Sequence, residues 1–240
     1  MSEPEQQVGA ASIDAPDWRS LAGRLAALGS IAGEAAHRFN NLRSVIDGTL
    51  DLMAGDPSGA LTERRLQRVR DAAARAQALA AGLAALGRSR AGAEIPLDLA
   101  DWLVAAKPWM RQLLAPGTEL SLAVSDQPAT LRADPDALRA AMTALVLNAA
   151  AAVGAAGRVS IRLAPTKATH GAALLSVADD GPGMPPEVAA RAREPFFTTR
   201  PPAAGLGLTV AESFAAHRGG RLEMSSEPGL GTTVFVHLIP

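Results

Sequence analysis

The sequence predicts an α+β protein in two parts: a helical hairpin, then a domain in which helices cover a mostly antiparallel sheet. Three observations carry that expectation. Between residues 25 and 83, apolar side chains recur in steps of three and four, the period of a helix face. From about residue 99, helical stretches alternate with short runs of period-two or continuous apolar character, the pattern of strands. Between them Gly87–Glu94 has no periodicity and reads as a linker.

The first 17 residues are polar and carry prolines, so a flexible N-terminus is expected over 1–17. The first helix follows, with a seam of Leu25, Leu28, Ala32, Ala35, Phe39, Leu42, Ile46 and Met53. Gly55-Asp-Pro-Ser-Gly59 breaks it. A second seam of Leu66, Val69, Ala73, Ala76, Ala80 and Leu83 begins at once, with charged residues on its outer face. Two helices across a short breaker form an antiparallel hairpin, assigned to 18–88. One hairpin cannot cover both apolar seams. Pairing two into a four-helix bundle can, which predicts a homodimer. A linker is expected over 89–96 and the second domain over 97–240. There, helices are predicted at Leu99–Leu114, Asp136–Val153 and Gly205–Arg218. Strands are predicted at Glu119–Val124, Thr130–Ala133, Arg158–Leu163, Ala172–Ala178, Arg221–Ser225 and Thr232–Leu238.

Composition narrows the function. A hydrophobic fraction of 48% against 20% charged residues in a chain of 240 argues for a real core and against disorder. Aromatics are only 3%, so alanine and leucine do most of the packing. With 23 basic and 24 acidic residues the net charge is −1, which argues against a broad nucleic-acid surface. Cys is 0, excluding disulfides, thiol chemistry and cysteine-ligated metals. The 4 histidines include no close pair on one helix face, which disfavours zinc. The longest apolar run, Ala140–Ala156, is interrupted by Thr143, Asn148 and Gly154. A buried core helix, not membrane insertion, is expected there. The first residues, with Glu3 and Glu5, do not read as a signal peptide, so a cytoplasmic location is expected.

Four places could carry chemistry. His37 lies on the outward side of the first helix, with Asn41 one turn on. It is either a solvated histidine or an exposed imidazole nucleophile. Asn148 interrupts the apolar helix Met142–Val153. It either bonds locally or faces a ligand, where its carbonyl oxygen could take Mg²⁺. In Val177-Ala-Asp-Asp-Gly-Pro-Gly-Met184 an acidic residue ends a strand. Gly181 and Gly183 let the backbone approach a flat ligand, and a carboxylate at Asp179 can accept from an exocyclic amine such as that of adenine. In Glu194–Leu208 two phenylalanines stand together in an aromatic-poor chain. Gly205-Leu-Gly207 then opens a helix whose N-terminus suits phosphate, with Arg200 adding charge. The alternative there is a loop pinned by Phe196 or Phe197.

Taken in this order, these segments resemble the transmitter of bacterial sensor histidine kinases, over roughly residues 20–240. Gly33-Glu-Ala-Ala-His-Arg-Phe-Asn-Asn-Leu42 is similar to the H box of that family, and Leu145-Val-Leu-Asn148 to the N box. Asp179-Asp-Gly-Pro-Gly183 resembles the G1 box, Pro195-Phe-Phe-Thr-Thr199 the F box and Gly205-Leu-Gly-Leu208 the G2 box. The tail, His217-Arg-Gly-Gly220 through Gly231-Thr-Thr233, is similar as well. The resemblance implies a dimerisation and histidine-phosphotransfer hairpin followed by an α/β sandwich ATP-binding domain of the GHKL type. It implies ATP under a lid, held by Asn148, Asp179, Gly181, Gly183, Phe197, Thr198, Thr199, Arg200, Gly205, Leu206, Gly207 and Thr232, with Mg²⁺ at Asn148. The γ-phosphate would pass to His37 and then to an aspartate on the receiver domain of a response regulator, with Arg38 and Asn41 completing the catalytic set. A signal would arrive through the short N-terminus or an upstream sensor protein.

Four positions depart from the family pattern. Arg38 stands where an acidic residue often follows the histidine, although a sister group carries arginine there. Ala144 replaces a polar residue one turn before Asn148. Ala203 replaces a glycine at the opening of the G2 box, and Arg200 replaces the lysine that usually ends the F box. Guanidinium cannot accept a proton, so slow autophosphorylation is expected, with Asn41 able to position water for dephosphorylation of the partner. The alternative reading is therefore a dimeric phosphotransfer, phosphatase or regulatory module with weak autokinase activity. An ATPase of the same superfamily without phosphohistidine chemistry is the third, disfavoured because it needs no histidine on a dimerising hairpin.

Overall fold

The computed structural model describes residues 21–55, 59–88, 93–125, 129–165 and 172–239. The hairpin is α1 (Leu21–Gly55) and α2 (Gly59–Arg88). The expected flexible N-terminus and most of the Gly55–Gly59 breaker lie outside the described residues, as do positions 89–92 of the linker. Arg65 ties the two helices near the turn, donating from Nη1 to the Leu52 carbonyl at 3.0 Å.

The residues that close the hairpin are not quite the expected seam. Ala27, Ile31, Ala35 and Thr49 of α1 are buried, as are Ala72, Leu79 and Leu86 of α2. Ala32, Ala73 and Ala80 are exposed, and Leu25 and Phe39 remain 59% and 50% exposed. The apolar arc of each helix is wide because alanine fills many of its positions. Periodicity finds such an arc but not which edge of it meets the neighbouring helix.

The second part begins at β1 (Ile95–Asp98). Ile95 and Pro96, expected in the linker, pair with Ala133 and Arg132. A four-residue strand containing proline carries no alternation strong enough to read, and its partner β3 supplies the order. There follow α3 (Leu99–Gln112), β2 (Gly117–Val124), β3 (Thr130–Ala133), α4 (Pro135–Val153), β4 (Ala156–Pro165) and β5 (Ala173–Asp179). The chain ends through α5 (Pro186–Arg191), α6 (Gly207–His217), β6 (Arg221–Glu227) and β7 (Gly231–Leu238). The short helix α5 was not anticipated. Asp98 caps α3 by accepting from the Ala100 and Asp101 N–H groups, and Asp134 caps α4, with Pro135 in its first turn.

The main sheet has the order β2-β4-β5-β7-β6. It is antiparallel except for the parallel pair β2–β4. Helices α3, α4 and α6 pack on it. Leu138, Met142, Leu145 and Val146 of α4 meet Val159, Ile161, Leu175 and Val177 of the sheet and Phe214 of α6 in one core. Among the described residues, α4 is the one helix long and apolar enough to cross a membrane by length and composition. In this fold it is a core helix between sheet and hairpin.

The two parts are joined by a second apolar cluster. Ala27, Ile31 and Ala35 of α1 and Leu79 and Leu86 of α2 pack with Phe196, Leu206, Val210 and Ala216. A β-carbon at Gly82 would stand 2.8 Å from Leu206 Cδ1, so the absent side chain of α2 is what lets Leu206 seat. The linker end is held as well. Arg218, its side chain 6% exposed, pairs with Glu94 at 3.1 Å and donates to the Arg132 carbonyl at 3.1 Å. That pins the entry to β1 against β3 and the end of α6.

Candidate active site

A cleft of about 1010 Å³ opens between α4, the end of β5, the segment 196–206 and the start of α6, with α2 along one side. Asn148, Asp179, Gly183, Phe197, Thr198, Thr199, Arg200, Gly205, Leu206, Gly207 and Thr232 all line it. Gly181, the remaining residue expected to bind ATP, does not. A β-carbon there would meet the Ala152 carbonyl oxygen at 2.9 Å and Asp179 Oδ1 at 2.8 Å. Gly181 serves the packing of the turn on α4.

The acidic pair is divided by the end of β5. Asp180 accepts from the Arg158 N–H at 2.7 Å, a bond within the fold. Asp179 turns to the cleft, where its Oδ1 accepts from the Gly181 N–H at 3.0 Å. Burial pushes its carboxyl above the usual range. The Gly181 and Thr232 N–H groups and the charge of Arg200 oppose that shift, and the neighbouring Asp180 adds to it. A half-buried carboxylate with one oxygen committed to the backbone can offer the other to an amine.

The glycines are there for close approach. Gly183 has φ +66°, and a β-carbon would fall 1.9 Å from the Glu227 carbonyl oxygen. Gly205 has φ +70°, and its β-carbon would lie 2.4 Å from the Phe196 carbonyl carbon. Phe196 itself takes φ +66° and donates its N–H to the Gly205 carbonyl at 2.8 Å, closing the lid segment at its base. Phe196 is buried in the hairpin cluster, whereas Phe197 faces the cleft with the Arg191 guanidinium 4.3 Å from its ring centre. The paired phenylalanines therefore do two jobs, anchoring and lining. Helix α6 starts at Gly207 with no side-chain cap, so its first N–H groups remain available to an anion.

Asn148 sits beside that terminus. A β-carbon at Gly207 would meet its amide at 2.9–3.0 Å. Its side chain is exposed at the cleft on a helix whose other face is in the core, and no hydrogen bond engages it among the described residues. Those residues contain no cluster of three His, Asp or Glu suited to a metal. The donor set therefore fits a cation held by one amide oxygen, water and phosphate, the habit of Mg²⁺, and not one caged by protein.

On the hairpin, His37 is exposed, and its Nε2 lies 3.2 Å from Asn41 Nδ2. Arg38 is engaged elsewhere. Its Nε donates to Glu34 at 2.7 Å, and its guanidinium carbon lies 4.9 Å from the Phe196 ring centre. No hydrogen bond or ion pair joins it to His37 among the described residues. Several cleft residues had no signal in the sequence. Met184, Val188, Met224 and Val234 form an apolar wall, and nothing in spacing separates such side chains from core. The pair Arg193–Glu212, which ties the stem of the lid to α6, was equally unreadable.

Residues 133–240 match the family described as histidine kinase-, DNA gyrase B- and HSP90-like ATPases. Residues 133–240 are a GHKL-type ATPase domain. Over most of its length the chain is similar to curated sensor kinases. It is 31% identical over 221 residues to the sensor histidine kinase ZraS of Klebsiella oxytoca, covering 90% of this chain and 47% of that protein. It is 29% identical over 234 residues to the sensor kinase CckA of Brucella abortus, covering 90% of this chain and 24% of that one. The chain thus spans less than half the length of these relatives. In fold alone it is similar to histidine kinase ThkA, solved in complex with the response regulator protein TrrA. There the TM-score is 0.65 at 19% identity, covering 90% of this chain and 63% of that one. The ATPase domain and the helical region before it are therefore established as fold. What the whole molecule does with them is a matter of chemistry.

Proposed function

We propose that the protein is an ATP-dependent histidine kinase of a two-component system. It transfers the γ-phosphoryl of ATP to His37 and then to an aspartate on the receiver domain of a response regulator. The observation that carries this reading is the docking of the cleft. Its lid and α6 rest on the hairpin whose α1 carries His37, exposed and beside Asn41. Asp179 would accept from the adenine amine, Gly183 would let backbone approach the base, and the α6 N-terminus with Arg200 would face the phosphates. Mg²⁺ would be held at Asn148, where it would neutralise phosphate charge. The phosphotransfer hairpin of 18–88 and the catalytic domain of 97–240 are the working parts in this reading. ATP as donor places the reaction in the cytoplasm.

The hairpin would work as a homodimer. Leu25, Ala32 and Phe39 lie seven residues apart in one exposed row on α1, the spacing at which a second hairpin could cover them. An upstream sensor protein would act on this bundle. The second reading, a regulator phosphatase with weak kinase activity, draws on the pair His37–Asn41. No carboxylate touches the imidazole among the described residues, and Asn41 can aim water at a phosphoaspartate.

The deciding experiment labels the protein with γ-labelled ATP and Mg²⁺. Acid-labile, base-stable label that disappears in His37→Ala is the expected result. Label that persists in His37→Ala would remove the phosphoacceptor, and no label in the wild type would leave the phosphatase reading.

A further inference from the structure

A second hollow, of about 340 Å³, opens between the hairpin and the lid. Its hairpin wall carries Arg38 and Asn41 of α1 and Arg75 of α2, and its lid wall carries Thr198, Ala203 and Ala204. Those three lid residues also line the nucleotide cleft, so the two hollows share a wall one segment thick. Beyond the groove lies His37, one hydrogen bond from Asn41.

The groove is cationic. No carboxylate lines it among the described residues. Arg38 is already paired with Glu34 and stacked on Phe196. Arg75 is exposed and has no ion pair or hydrogen-bond partner among the described residues. An uncompensated guanidinium in one groove with Asn41, the residue hydrogen-bonded to His37, and behind a nucleotide lid is placed to meet an anion there.

Resting on the kinase reading above, we propose that this groove is where the γ-phosphoryl meets His37 of the same chain once the lid brings the nucleotide to the hairpin, with Arg75 as the residue that stabilises its charge in the transition state. In phosphoryl transfer the charge spreads over three equatorial oxygens, and a guanidinium fork placed against them stabilises the transition state. With the Asn41 amide nitrogen as donor, Nε2 holds the lone pair and Nδ1 the proton, and this hydrogen bond is released as Nε2 turns to phosphorus. The N–P bond forms at Nε2. The bond between phosphorus and the bridging oxygen breaks, its electron pair leaving with ADP, and the Nδ1 proton passes to water. Transfer stays within one chain because each lid is anchored on its own hairpin. Phe196 is buried with Ala27, Ile31 and Ala35, and Leu206 is seated on Gly82. Reaching a partner's histidine would require both contacts to break.

The test uses the full chain. Arg75 is exposed, so Arg75→Ala leaves the fold intact. Its initial rate of phosphohistidine formation at saturating ATP is expected to fall roughly 10- to 1000-fold, at or below the range known for arginine fingers because this groove is open to solvent. ATP affinity, read by calorimetry, stays within a factor of about two, and Arg75→Lys recovers part of the rate as a point charge would. Labelling of Arg75→Ala at close to the wild-type rate would overturn the role of Arg75. Co-purified mixed dimers of His37→Ala and Asp179→Asn chains, assayed at ATP well below the concentration at which Asp179→Asn alone labels, should stay unlabelled, and label in them would overturn same-chain transfer. Failure of the kinase reading looks different: the wild type itself would carry no label.

Discussion

Replacing Asp179 with asparagine should separate nucleotide affinity from fold stability. In the wild type, Oδ1 is held by the Gly181 N–H at 3.0 Å, which leaves Oδ2 for the proposed contact with the adenine amine. The substituted amide would keep its carbonyl on Gly181 and turn an NH₂ toward another NH₂. A hydrogen bond to a charged group is worth about 1.5–3 kcal/mol, so ATP and ADP should each bind roughly 10- to 150-fold more weakly. The free protein should respond in the other direction. Burial raises the folded carboxyl above 3.8. A raised carboxyl contributes stability that is fully present below 3.8 and lost as pH rises through the folded value. At neutral pH the buried charge is thus a liability, and Asp179→Asn should melt at or slightly above the wild-type temperature. The same shift predicts that wild-type ATP affinity falls on acidification earlier than an ordinary aspartate would cause. Calorimetric titration with MgATP and MgADP, paired with thermal unfolding of the nucleotide-free protein, reads both effects. Unchanged affinity would refute the adenine contact. Weakened affinity together with a clearly lower melting temperature would mean that the carboxylate supports the turn instead.

Gly82→Val should unseat Leu206, because the first added carbon would lie 2.8 Å from Leu206 Cδ1. ATP affinity should persist by calorimetry while labelling of His37 falls at least about tenfold, the loss expected when a catalytic group is displaced by roughly an ångström. Leu25→Glu combined with Phe39→Glu places charge on a row already exposed in one chain, so light scattering should report monomers with circular dichroism little changed. A dimer that survives would move the interface elsewhere. Gly183→Ala should be far more damaging than an ordinary Gly→Ala change. It combines φ +66° with a 1.9 Å overlap on the Glu227 carbonyl, and a loss of several kcal/mol by chemical denaturation is expected, well above the ~1–3 kcal/mol of backbone strain alone.

Much of the candidate site was legible because backbone geometry demanded particular residues at particular places. Gly183 and Gly205 must be glycine, since other chain segments crowd the space where a side chain would begin. Asn148 stood out as an amide in an apolar helix, and Asp179 as an acid at a strand end. Gly181 looked identical in sequence, yet its space is taken by α4. Arg38, legible as the neighbour of His37, turned out to be held by Glu34 and Phe196. The sheet was expected to be mostly antiparallel and is, with β2–β4 parallel.

The sequence by itself determined the two-part plan, the helical hairpin, nearly every strand and the order of the nucleotide motifs. Each of these depends on local periodicity or on a turn that only certain residues allow. The tertiary structure alone decided which edge of each alanine-rich arc closes the hairpin, because alanine is nearly neutral between a thin core and solvent. It also set the strand β1, too short to order without β3. It brought the lid onto α1 and α2, and Arg75 to the groove beside Asn41. Those contacts join residues far apart in the chain, and no local pattern constrains side chains that meet only when two parts of the chain dock.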